Sequence, residues 1–64
     1  MMPREPQGLG AIVRDQDGDL WVREGWGDWH CLDGVSEDTD WDWLVANVDP
    51  TVLSRGFNED GTPA

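Results

Sequence analysis

A mainly β fold with one short helix, in the order β-β-β-α-β, is predicted for this 64-residue chain by three observations. Two β-prone runs flank a polar turn that ends in glycine. A third short run of alternating residues follows a second glycine-rich turn. One apolar stripe at helical spacing then leads into proline, and a last β-prone run follows it.

The first hairpin is centred on Asp15-Gln16-Asp17-Gly18. Aspartate at the first position hydrogen-bonds its own backbone, and Gly18 takes the left-handed conformation of a G1 bulge after a type I turn. Strands at 10–14 and 19–24 then pair with Arg14 opposite Leu20, Val13 opposite Trp21 and Ile12 opposite Val22. One face carries Ile12, Leu20 and Val22, and the other carries Val13 and Trp21. A lone hairpin is marginal in water, so the rest of the chain must cover at least one of these faces. Gly25-Trp26-Gly27-Asp28 reads as the second turn, and Trp29-His30-Cys31-Leu32 as a third strand closed by Asp33-Gly34. On that strand Trp29 and Cys31 share one face, His30 and Leu32 the other.

The helix is predicted over 40–47, with Ser36 or Thr39 as its cap and the acidic residues of 36–40 at the positive end of its dipole. Trp41, Leu44, Val45 and Val48 fall at i, i+3, i+4 and i+7, which makes them the stripe that covers the hairpin. Asp49-Pro50 ends the helix, because a residue before proline avoids helical angles. The run 51–55 returns as the last strand. Residues 1–9 read as a flexible arm, 10–55 as the single domain and 56–64 as a flexible polar tail, with no internal repeat. Strands this short must curl around a shared core, which predicts a small SH3-like or partly open barrel. A three- or four-stranded sheet with the helix on one face is the alternative.

Charge narrows the function. Four arginines and no lysine stand against 14 acidic residues, a net charge of −10. Binding a phosphate backbone or an anionic lipid surface needs cations, so the balance argues against direct nucleic-acid and membrane binding. The same surface attracts a basic protein, or simply keeps a tryptophan-rich chain in solution. The single cysteine excludes an intrachain disulfide and predicts a reducing compartment. No apolar run approaches a membrane span, and the first seven residues lack the apolar core of a signal peptide, so a cytoplasmic location is expected.

Motifs for chemistry fail one by one. Asp15, Asp17 and Asp19 begin like an EF-hand loop, but position 6 is Leu20 rather than glycine and position 12 is Trp26 rather than glutamate. His30 and Cys31 are two ligands where closed zinc sites use four. Neighbouring strand residues point to opposite faces, so His30 does not reach the Cys31 sulfur as a base. Asp40 and Asp42 diverge on a helix, and there is no glycine-rich phosphate loop with a lysine. No catalytic residue, metal or cofactor is therefore expected, and the protein is not read as an enzyme.

Five tryptophans are far more than such a chain needs by chance, and their bulk lets a tiny domain build a core. Trp29 and Trp41 are the predicted core pair. Trp43 lies off the helical stripe, Trp21 lies on the hairpin face away from Leu20 and Val22, and Trp26 sits in a turn. Large aromatics outside the core pattern are candidates for a contact surface, which singles out Val13, Trp21 and Trp43 as protein-binding residues.

Lysine and tyrosine are absent while glycine, aspartate, valine and tryptophan abound, the usage of a GC-rich genome. The string Val13-Arg14-Asp15-x-Asp17-Gly18-Asp19-x-Trp21-Val22-Arg23, then Trp29-x-Cys31, Trp41-x-x-Leu44 and Thr51-Val52-Leu53, resembles small acidic, tryptophan-rich proteins of actinobacteria and their bacteriophages. The resemblance implies an accessory protein that works in a host cytoplasm by binding one host or phage protein. The expected function is thus a non-catalytic interaction module with a basic protein partner, or a homodimer through the Val13–Trp21 face. An acidic DNA mimic that blocks a nucleic-acid-binding protein, and a structural or assembly component, are the alternatives.

Overall fold

The computed structural model describes residues 4–25, 27–33 and 37–64. Its elements are β1 (Ile12–Arg14), β2 (Leu20–Arg23), β3 (Trp29–Cys31), α1 (Trp41–Asn47) and β4 (Thr51–Ser54). All neighbouring strands are antiparallel and form one open sheet in the order β3-β2-β1-β4. The mainly β class, the element order and the partly open architecture are those read from the sequence.

The first turn folds as its residues dictate. Asp15 N–H donates to the Asp19 carbonyl at 2.8 Å, Gly18 N–H donates to the Asp15 carbonyl at 3.0 Å, and Gly18 has φ +90°. The strand register is the one this turn sets: Ile12 opposite Val22, Val13 opposite Trp21, Arg14 opposite Leu20. The same turn recurs nine residues on, where Glu24 N–H bonds the Asp28 carbonyl and Gly27 N–H bonds the Glu24 carbonyl, with φ +92° at Gly27. It appears a third time at Asn58–Thr62 around Gly61. Trp26, expected in the second turn, lies outside the described residues.

The core face differs from the expectation. Val13, Trp21 and Cys31 form one row across three strands and are buried, at 0%, 3% and 1% exposure. Val52 joins that row from β4, and Trp41 and Leu44 of α1 close over it with Trp29 and Ala11. The face with Ile12, Leu20 and Val22 is the open one, and Leu20 and Leu32 stand exposed there. The reason is the β2–β3 register, which sets Trp21 opposite Cys31 and hence on the side of Trp29. That side holds the larger apolar surface, and burying it stabilises the fold more. Val13 and Trp21 therefore do not form a contact surface, and a homodimer through that pair has no exposed area to use.

The helix forms over 41–47, one residue short of the predicted start. Its cap is Asp40 instead of Thr39, with the carboxylate accepting from Trp43 N–H at 2.8 Å. Thr39 is otherwise engaged, exchanging backbone bonds of 2.7 and 2.9 Å with Trp29 on the outer edge of β3. Ser36, the other predicted cap, and Gly34 lie outside the described residues. The stripe holds: Trp41 and Leu44 are buried, and Val45 and Val48 pack against the same core. Trp29 and Trp41, the predicted pair, lie 5.3 Å apart at the ring centroids.

Residues 5–9, expected in a free arm, are tied to Arg55 and Phe57, while 57–64 of the expected tail stay exposed. Pro6 and Gly8 are buried, and the Glu5 carboxylate accepts from the Trp29 indole at 3.0 Å. Leu9 and Phe57 exchange backbone bonds of 2.8 and 3.1 Å, which joins the arm to the segment after β4. The chains meet so closely that a Cβ on Gly8 would overlap the Arg55 carbonyl oxygen, and one on Gly56 would lie 2.6 Å from the Gly8 backbone. No helix among the described residues is long and apolar enough to cross a membrane.

Candidate interaction surface

Of the three residues singled out for contact, only Trp43 is on the surface. It keeps 44% of its area in solvent, although its ring centroid is 6.2 Å from that of buried Trp21 at a 49° tilt. The helix positions it: the N-cap bond from Asp40 fixes the first turn, and the Asn47 amide donates to the Trp43 carbonyl at 2.9 Å. An exposed indole is therefore seated on a rigid core partner.

Beneath it lies a buried carboxylate. Asp15, 7% exposed, accepts from the Trp21 indole at 3.0 Å and from the backbone of Asp17 and Asp19 at 2.9 and 3.0 Å. Burial by itself raises the Asp15 pKa, but these donors together outweigh it and hold the carboxyl below its ordinary value. Gln16 ties the hairpin tip to the helix end, donating from its backbone to Val48 at 2.8 Å and from its side chain to Asn47 at 3.4 Å. Trp43 and the acidic hairpin tip are thus parts of one braced surface. Partial desolvation, then the charges of Asp15, Asp33 and Asp17, push the Asp19 carboxyl above its ordinary value.

Cys31 is buried, and its thiol donates to Asp33 at 2.9 Å. Burial, helped by that bond, pushes its pKa up, so the sulfur stays protonated and is a poor nucleophile. His30 lies on the opposite side of β3, with Nδ1 2.7 Å from Asp38 and 4.0 Å from Glu24. The bond to Asp38, together with the charges of Asp38 and Glu24, raises the His30 pKa against the opposing effect of desolvation. Sequence reasoning saw His30 only beside Cys31. The link to Asp38 depends on the pairing of Thr39 with Trp29, which no local pattern announces.

Three of the four arginines gather at the joined ends. Arg4 and Arg55 line one open groove, and Arg23 lines a second beside Leu9 and Phe57. Glu5 shares the first groove and Glu59 the second, while Asp15, Asp17 and Asp19 crowd the first hairpin tip. Compared with known proteins, the chain matches no protein-family model, no curated sequence and no solved structure.

Proposed function

We propose that this is a non-catalytic protein-interaction module that seats Trp43 in an apolar pocket of a partner whose rim is basic. The observation that carries the reading is the exposed Trp43 indole braced on buried Trp21. Tryptophan is among the residues most enriched at energetic hot spots, and a rigid one beside a steering charge serves both affinity and association rate. The carboxylates of Asp17, Asp19, Asp40 and Asp42 select against acidic partners. The resemblance to proteins of actinobacteria and their phages fits an accessory protein that binds one host or phage protein in the cytoplasm.

The net charge of −10 and the run of Asp15, Asp17 and Asp19 at one hairpin tip favour a second reading, an acidic mimic of DNA. The two part on Trp43 and on salt. Affinity capture from an actinobacterial lysate with wild type, Trp43→Ala and Asp17→Asn/Asp19→Asn, each checked for folding by circular dichroism, decides between them. An anchored complex is lost with Trp43→Ala and weakens little with salt, because a seated aromatic is not screened. A mimic keeps its partner in Trp43→Ala, loses it in the aspartate variant and releases it steeply as salt rises. Retention of every captured protein by both variants would contradict both readings.

A further inference from the structure

Glu24, His30 and Asp38 converge on the open face of the sheet, away from Trp43. His30 is central. It pairs with Val22 across β2, which places Glu24, two residues beyond Val22, diagonally next to it on the same face. On its other side the bridge between Trp29 and Thr39 sets Asp38 alongside. Three separate stretches of chain thus each deliver one donor atom, and these atoms lie within 4.8 Å of one another.

The backbone under the three is fixed by ladder bonds. Glu24 N–H donates to the Asp28 carbonyl at 2.8 Å, and Trp29 and Thr39 bond in both directions. Only side-chain torsions are left to adjust. A tetrahedral ion with bonds of about 2.0–2.1 Å spaces its donors roughly 3.3 Å apart. The existing separations from His30 Nδ1, 2.7 Å to Asp38 and 4.0 Å to Glu24, lie on either side of that value. An ion entering in place of the shared proton opens the first and closes the second by a similar small amount.

We propose that Glu24, His30 and Asp38 form a binding site for a divalent transition-metal ion of the zinc type. The donor set of one imidazole nitrogen and two carboxylate oxygens suits such an ion, whereas calcium and magnesium take oxygen donors almost exclusively. Two carboxylates neutralise the ion's charge, and the chain's net charge of −10 concentrates cations around it. Three protein donors leave a fourth position for water. As the metal–Nδ1 bond forms, the proton shared by His30 and Asp38 leaves its N–H bond for solvent, and no oxidation state changes.

The test is a zinc titration of the untagged full chain in metal-free buffer, followed by isothermal calorimetry and by NMR of the His30 ring. One ion per chain is expected, with shifts at the His30 ring protons and none there when magnesium or calcium is added at millimolar concentration. His30→Ala and Asp38→Asn should each weaken zinc binding by at least ~10-fold, while Trp43→Ala leaves it unchanged. Tryptophan fluorescence reports that the variants, all at exposed or half-exposed positions, stay folded. Zinc binding of equal affinity in His30→Ala would assign the ion to scattered carboxylates and overturn the proposal. So would a His30 ring that does not respond to zinc.

Discussion

Among the described residues Asp15 is a buried carboxylate, 7% exposed, that serves both the turn and the core. It accepts from two backbone N–H groups of its own turn and from the indole of Trp21, so it connects the hairpin tip to the core. Asp15→Ala leaves that buried indole N–H unpaired and should cost about 1–3 kcal/mol in chemical denaturation. Its pH dependence has a definite sign. The folded-state pKa lies below the ordinary aspartate value of 3.8, so the unfolded chain takes up the proton first. The stability Asp15 contributes is present above about pH 3.8 and is lost as pH falls through the lower folded value. The gap in stability between wild type and Asp15→Asn should therefore narrow in that window, and a constant gap would contradict the assignment. The turn role of Asp15 was legible, because aspartate before x-x-Gly bonds its own backbone. Its grip on Trp21 was not, since that required knowing which hairpin face turns inward.

At the scale of elements the turns were the most readable feature. Gly18 adopts the predicted left-handed conformation, and Gly18→Val should destabilise by at least ~1 kcal/mol, because a β-branched side chain resists positive φ. The same signal stands at Glu24-x-x-Gly27 and Asn58-x-x-Gly61, a hydrogen-bonding residue three before glycine, yet the last was read as part of a free tail. The helix stripe was legible from spacing. Leu44 is fully buried, and Leu44→Ala should lower stability by about 2–5 kcal/mol in the denaturant midpoint and slope. A change near zero would mean that α1 is not packed on the sheet. The inner face is not legible in the first hairpin alone, because alternation yields two apolar faces and both are fit for a core. Carrying the register across the second turn places Trp21 with Cys31 and Trp29, which resolves the choice.

For the whole molecule, the closure of the two ends matters most. A 64-residue chain with no disulfide has little core to spare, and here the arm adds buried Pro6, the Glu5 bond to Trp29 and a bridge to Phe57. Gly8→Ala drives a methyl into the Arg55 carbonyl and should cost about 1–3 kcal/mol, where the same change at a loosely held arm would cost nothing. Low periodicity hid this packing in the sequence, because backbone contacts between glycines leave no apolar pattern. The binding reading rests on the sheet presenting Val13, Trp21 and Cys31 inward, which leaves Trp43 as the exposed indole among Trp21, Trp29, Trp41 and Trp43. Fluorine NMR of the 5-fluorotryptophan-labelled protein with a soluble paramagnetic agent reads that arrangement most directly, each resonance being assigned by substitution. The account predicts strong broadening at Trp43, little at Trp41 and Trp21, and least at Trp29, in the order of their exposures of 44%, 8%, 3% and 0%. Broadening of Trp21 equal to that of Trp43, or protection of Trp43, would contradict it.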